Sequence, residues 1–349
     1  MKKRGFRDRD FLETPESFLF CVVGPYHPQD RVISYIKYVP SKNGIWKRKQ
    51  QKFKRIMKMY TIPNLLETFR WLKDKYPQYV FHSQYYNIKM TAVPKNRIIK
   101  HYKPEIKLSS LFTATEPDSL QAKLIEFVEI LSSSSGIPIS SFGVTGSILL
   151  DIHNPAFSDI DLTIYGIKNS FKLKETMLEL YDSDIGIKRF YGKTLEKWLF
   201  NKTKKHPLSI NEARNILKRK WNLGLFKGTI FSIHPIKTEN ELSEKYGDKT
   251  YFPRGFITVK AEISDDKDSL FLPAIYKICK VKVLNGSNVS DIHEVVSYES
   301  LYDGLASTGE KIIAHGKLEL VKNNKTNRTY HRILVGSPEG KGKEFIKPV

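Results

Sequence analysis

Cysteine is scarce in this chain. Cys21 and Cys279 are the only two among 349 residues, and each sits inside an apolar, strand-like run. Two isolated thiols exclude a disulfide framework and a cysteine-built zinc knuckle, and they read as buried thiols of a reducing compartment. Long apolar runs are missing as well. No window approaches the roughly eighteen uninterrupted apolar residues of a membrane span. The basic N-terminus, MKKRGFRDRDFLETPESFLFCVVGPYHP, has too short and broken an apolar stretch for a secretory signal. No repeat of solenoid period is present. Acid is the last shortage: 37 Asp and Glu stand against 58 Lys and Arg, a net charge of +21. Such an excess attracts polyanions, nucleic acid first among them, although a solvated lysine-rich surface has the same composition. The expectation is a soluble, cytoplasmic protein with no membrane partner.

What is present suffices for a sizeable core: 40% of residues are hydrophobic and 12% aromatic. The length predicts two or three domains. Residues 1–112 read as a basic α/β domain, with strands in SFLFCVVG and RVISYIKYVP and a helix in LLETFRWLKDKY, where Leu65, Leu66, Phe69 and Leu72 share a face. Between them KNGIWKRKQQKFKRIMKMY carries eight Lys or Arg, no acid, and the interleaved aromatics Trp46, Phe53 and Tyr60. Residues 113–268 alternate helices and strands, which argues an α/β core. Its first helix repeats Leu120, Leu124, Phe127, Val128 and Leu131 and stops at Gly136; another opens with a capping box, Ser209 and Glu212. In the same region GTIFSIHPI and GFITVKAEIS read as strands. From 269 to 349, short strands parted by Asn, Gly and Ser predict a small all-β module, a candidate barrel.

The chemistry concentrates in FGVTGSILLDIHNPAFSDIDLTIYG, residues 142–166. Asp159 and Asp161 are two apart, so on a strand they project to one side while Ile160, Leu162 and Ile164 face the core. Parallel carboxylates repel unless a cation or water lies between them. Oxygen ligands at this spacing suit Mg²⁺, which takes one or two carboxylates and completes its shell with water and phosphate oxygens. The small-residue turn at Gly146 and Ser147 lets backbone N–H groups approach a phosphate closely. The stretch is not a Walker A loop, since no Gly-Lys-Ser/Thr follows, and it lacks the G-x-S-x-G of a nucleophile elbow. A lone D-x-D also serves glycosyltransferases that hold a nucleotide sugar through a metal.

TGS at 145–147 followed by DID at 159–161 resembles the signature of the nucleotidyltransferase superfamily that includes DNA polymerase β and the CCA-adding enzymes. Together with VVGPYHPQDRVISYIKYVP, FSDIDLTIYG and GKLELV, the chain is similar to a group of uncharacterised archaeal nucleotidyltransferases. The resemblance implies an α/β (α+β) fold with a mixed sheet, an NTP substrate and Mg²⁺ or Mn²⁺ held by Asp159 and Asp161. It implies nucleotide contacts at Gly146, Ser147 and Ser158. A third carboxylate on a later strand usually completes such a site. Here the comparable stretch, FSIHPI, offers Ser232 and His234, poor and soft ligands for Mg²⁺; Glu262 is a possible substitute. The implied activity is transfer of a nucleoside monophosphate to a hydroxyl, an RNA end being the favoured acceptor. The alternative is a catalytically degenerate relative that binds nucleic acid.

Two basic clusters are candidates for guiding a polyanion. One is the stretch around Trp46 and Phe53. The other is in the core region and includes Lys204, Lys205, Arg214, Lys218, Arg219 and Lys220. For each, a solvated helix or strand face is an equal reading. His153 is read as ordering its own loop, and Asp151 as a cap or a solvent-facing acid.

Overall fold

The computed structural model describes residues 4–56 and 62–349, with no side-chain description for 62–66. Tyr60 and the side chains of Leu65 and Leu66, singled out above, therefore lie outside the described residues.

The chain opens with an antiparallel meander, β1 (Phe11–Glu13), β2 (Leu19–Val22), β3 (Arg31–Pro40), β4 (Trp46–Arg48) and β5 (Gln51–Arg55). Helix α1 (Ile62–Lys75), β6 (Val80–Ser83), β7 (Ile88–Pro94), β8 (Lys100–Tyr102) and α2 (Pro104–Phe112) follow. The first sheet runs β4-β5-β3-β2-β1-β8, and the end of β7 adds to β3 through Val32↔Val93. Strand β4 is its edge.

Next come α3 (Ser119–Ser135), β9 (Phe142–Val144), α4 (Gly146–Leu149), β10 (Ile160–Tyr165), α5 (Ile167–Leu180) and β11 (Ile187–Lys188). Helix α3 ends as its sequence predicts, with Gly136 in the left-handed region at φ +62°; at its start the structure adds a capping box of Asp118 and Gln121. The five periodic apolar residues of its face are all buried. After α6 (Gly192–Lys205) and α7 (Ile210–Arg219), strands β12 (Leu223–Phe226) and β13 (Thr229–Ile236) complete a second sheet of order β11-β12-β13-β10-β9. It is mixed: β10 runs parallel to β13 and antiparallel to β9.

The third sheet takes β14 (Lys249–Asp265), β15 (Ala274–Asn285), β16 (Ile292–Ser297), β17 (Lys311–Asn323), β18 (Thr329–Val335) and β19 (Phe345–Pro348). Its order β14-β15-β16-β18-β17 closes on itself through a β14–β17 pairing, with β19 added to β17. The closure matches the barrel that the strand spacing predicts. The inner faces alternate as closure requires, with Ile257, Val259, Ala261 and Ile263 of β14 at 2% exposure or less.

The molecule divides into two compact units, neither contiguous in sequence. The first comprises Met1–Lys58, Thr91–Phe190 and Trp221–Ser243; the second comprises Met59–Met90, Tyr191–Lys220 and Glu244–Val349. GFITVKAEIS is thus a barrel strand rather than part of the expected α/β region 113–268. Helices α6 and α7 move with it: Leu199, Leu208, Ala213 and Ile216 join the barrel's apolar cluster. Local periodicity identifies these elements, but the partner sheet is chosen by non-local pairing with β17, across Lys249↔Asn323 to Glu262↔Lys311. Cys21 is buried and Cys279 half-buried, and both are free thiols. No helix among the described residues is long and apolar enough to cross a membrane.

Candidate functional site

The D-x-D pair sits where β10 begins. Ile160, Leu162 and Ile164 are fully buried, which turns Asp161 to the opposite face; Asp159, one residue ahead of the strand, is exposed. The strand is held on both sides. Thr145 N–H donates to the Asp161 carbonyl at 2.8 Å, and the parallel register sets Asp161 opposite Ser232 and Thr163 opposite His234.

That register gives the carboxylate its first partner. The Ser232 hydroxyl donates to Asp161 Oδ1 at 2.5 Å and lies 3.0 Å from His234 Nε2. A hydroxyl has one hydrogen, so with that hydrogen on Asp161 the imidazole is the donor and carries its own on Nε2. The result is a directed chain, His234 to Ser232 to Asp161. The other oxygen, Oδ2, faces the small-residue turn. A Cβ on Gly146 would stand 2.4 Å from it, and Gly146 has φ +69°. Only glycine tolerates both the left-handed backbone and this approach.

The turn itself is anchored from below. Ile148, Leu149 and Leu150 are at most 2% exposed, and Leu149, Leu150 and Ile152 join Phe11, Leu19, Tyr38 and Phe53 in the core of the first sheet. At roughly 1.5–3 kcal/mol for each buried aliphatic side chain, this anchorage is ample to hold a short turn. Ser147 is buried at 6% exposure. Ser158 closes its own loop, accepting the Asn154 N–H at 2.9 Å, and is 8% exposed. Ser158 is therefore a loop-ordering residue in this structure, because its oxygen is turned inward.

Arg9 is the residue that reasoning from the motif missed. Its carbonyl accepts the Thr145 hydroxyl at 2.7 Å, and its backbone is left-handed at φ +67°. Its Nε is buried without a hydrogen-bond partner, 3.4 Å from Asp8 Oδ2. Burial alone would lower the Arg9 pKa; Asp8 foremost, then Tyr35 and Cys21 and last Asp161, reverse this and raise it. The Arg9 cation is thus held chiefly by Asp8. The RDRD stretch at 7–10 gives no spacing signal that ties it to residue 161. Nearby, Arg4 bridges Asp10 and Glu105, and Tyr165 donates to Glu105 at 3.0 Å, which clamps the N-terminal segment to the end of β10.

Of the third-ligand candidates, the structure brings Ser232 to Asp161 directly and His234 through it. Glu262 belongs to the second unit, on β14, where both its oxygens take Lys280 at 2.9 Å. Among the described residues, no three His, Cys, Asp or Glu side chains gather as a metal-binding group. The carboxylates of a two-ion site are thus not gathered here. His153 is tied to the Asp118 cap at 2.7 Å, and Asp151 is paired with Lys107.

The basic cluster of α6 and α7 is only partly available. Lys220 is 4% exposed; its ammonium is held by the Asp303 carboxylate and the carbonyls of Ser300 and Asp303. It is an internal ion pair, not a phosphate contact, because α7 ends at Arg219 and the chain turns inward there. Arg219 pairs with Glu310 at 2.7 Å. Lys204, Arg214 and Lys218 are exposed, and Lys205 is half-buried.

No protein-family model matches the chain, and no solved structure does. The chain is 31% identical over 347 residues to the uncharacterised protein MJ1086 of Methanocaldococcus jannaschii, an alignment spanning 98% of each. An identity of this size over nearly the whole of both chains places this protein in one family with that archaeal protein.

Proposed function

We propose that the protein is a metal-dependent nucleotidyltransferase that moves a nucleoside monophosphate from an NTP to a hydroxyl, with an RNA end as acceptor. The observation that carries this reading is the packing of Gly146 against the Asp161 carboxylate, beside the exposed Asp159. It sets the Asp161 carboxylate against a turn that carries no side chain, two residues along from the exposed Asp159, and such a combination suits Mg·triphosphate. When bound, the ion would neutralise the phosphates and polarise the α-phosphorus. Asp159 and Asp161 would hold it, while the buried Gly146–Ser147 turn would meet the terminal phosphates. In the transfer, the acceptor oxygen bonds the α-phosphorus, the bond to the β-phosphate oxygen breaks and pyrophosphate leaves. The hydroxyl proton leaves to solvent water, since both carboxylates would be engaged with the ion and Asp161 Oδ1 accepts from Ser232. Arg9 would add fixed positive charge for the phosphates.

One observation favours a second reading. Ser232 fills the place opposite Asp161 with a neutral hydroxyl, so a relative that binds Mg·NTP and nucleic acid without transferring is also consistent. One assay separates the two. Each labelled NTP is incubated with Mg²⁺ or Mn²⁺ and an RNA pool, beside the Asp159→Ala/Asp161→Ala variant. Label in RNA with wild type alone supports transfer. Its absence under every condition, with NTP binding intact, leaves the binding protein. Label arriving from UDP-sugars instead would move the D-x-D pair to glycosyl transfer.

A further inference from the structure

The outer face of the barrel carries two parallel lines of side chains. Cross-strand register sets Lys282 opposite Lys260, Lys260 opposite Ile313, and Ile313 opposite Lys347. This is one line across β15, β14, β17 and β19, with three lysines in it. Two residues along the strands, about 7 Å away, the next line holds Thr258, His315 and Phe345. Phe256 continues it: its ring stacks on His315 at 6.1 Å, and His315 meets Phe345 at 5.7 Å. The Thr258 hydroxyl lies 2.9 Å from His315 Nδ1 and fixes the ring. Phe256 is 40% exposed and Lys282 is exposed, while the alternate residues Ile257, Val259 and Ala261 point inward.

Cations outnumber acids on this face, and both acids are paired. Lys347 pairs with Glu212 at 3.0 Å and its ammonium lies 4.4 Å from the Phe345 ring centre. Glu262 and Lys280 neutralise one another beyond the lysine line. Lys260 and Lys282 have no ion-pair partner among the described residues, and they face each other across two strands. Like charges directly opposite destabilise a sheet unless an anion bridges them.

We propose that this face binds single-stranded RNA, with phosphates on Lys260 and Lys282 and bases stacked on Phe256 and His315. A phosphodiester strand supplies the missing anions, and aromatic faces reach only unstacked bases. The order 1-2-3-5-4 closing on 1, with only strands 3 and 5 parallel, sets strands 1, 2 and 4 side by side and so makes this face continuous. Connectivity alone does not choose the ligand; the lysine line selects a polyanion over a neutral sugar. The choice of RNA over DNA rests on the transferase reading, whereas the site itself does not.

The test is fluorescence anisotropy of a labelled twelve-nucleotide oligo(U) with the full-length protein, without metal or NTP, over a series of salt concentrations. Lys260→Glu/Lys282→Glu is expected to weaken binding at least tenfold and to reduce the log–log salt slope by about 1.4, two contacts at about 0.7 each on a single strand. Phe256→Ala is expected to weaken binding about tenfold with the slope unchanged. Lys73→Glu/Lys75→Glu at the end of α1, two exposed lysines outside both basic clusters, makes the same change of charge and is expected to cost less than threefold. Equal losses from the two lysine pairs, or no loss from Lys260 and Lys282 in a protein whose melting is unaltered, would overturn the site. Binding of oligo(dT) as tight as oligo(U) would overturn RNA as its ligand. Because no nucleotide or metal is present, failure of the transferase reading leaves these results unchanged.

Discussion

Ser232 donates its hydroxyl hydrogen to Asp161 Oδ1 over 2.5 Å, from the position directly opposite on a parallel strand. That relationship makes residue 232 the natural seat of a further carboxylate. In Ser232→Asp, two carboxylates would meet within hydrogen-bond distance and repel. The variant is expected to lose about 1–3 kcal/mol of stability at pH 7 without divalent cations, and to recover most of it in Mg²⁺. Urea melts with and without MgCl₂ measure both. A variant indifferent to Mg²⁺ would remove residue 232 from the ligand position.

Gly146→Ala tests the turn. Its Cβ would enter the space of Asp161 Oδ2, and the left-handed backbone adds strain. The expected cost is about 1–3 kcal/mol, with NTP binding reduced at least tenfold in a nucleotide titration. An alanine variant that binds NTP normally would mean that the turn does not touch the nucleotide.

The buried Lys220–Asp303 pair predicts an asymmetry. Asp303→Asn leaves an ammonium in a site that is 4% exposed and is expected to cost about 3–5 kcal/mol. Lys220→Met with Asp303→Leu removes both charges and is expected to cost much less. Neither change should alter the salt slope of RNA binding, since Lys220 cannot reach a phosphate. Melting curves and the anisotropy assay check the two halves.

A pH effect follows from a pair in the second unit. Burial, with Glu344 nearby, holds the Glu299 pKa up to about 7, against the opposing pull of Lys202. His206, whose Nδ1 is 3.3 Å from Glu299 Oε2, is pushed down to about 4 by burial and by Lys202 and Lys205. The folded state thus binds a proton on Glu299 that the unfolded chain has released between about 4.5 and 7, so stability falls as pH rises through that range. For His206 the folded state binds less than the unfolded chain between about 4 and 6.5, so stability falls as pH drops. The two slopes oppose and nearly cancel from pH 4.5 to 6.5. Glu299→Gln removes one of them and is expected to make stability climb with pH across that window by about 1–3 kcal/mol. A flat profile in this variant would refute the His206 assignment.

Much of the first unit is legible from local pattern. The alternation around Asp161 orients the carboxylate, the cap of α7 stands where Ser209 and Glu212 predict, α3 stops at Gly136, and its apolar stripe is buried. What was hidden is non-local. Nothing near residue 9 announces that Arg9 will lie by Asp161, because the contact is made through Thr145. Lys220 ends a run of cations that looks solvated, yet the chain turns inward at that residue and Asp303 meets it eighty-three positions later. The strand character of 249–265 is plain from its alternation, while its sheet is decided by β17, whose pairing partner no local window contains.

The threading of the chain through its two units bears on how it is made. Residues up to Ser243 are needed to complete the first unit, and the strand Phe345–Pro348 is among the last parts of the second. During synthesis, β10 of the second sheet emerges well before β13, so it waits exposed on one side without its parallel neighbour. A nascent chain in that state presents an unpaired strand carrying Asp161, whose charge opposes edge-to-edge association. Truncation at any single point leaves at least one unit unfinished, so a fragment that begins or stops at the motif would be a folding intermediate rather than a minimal folded domain.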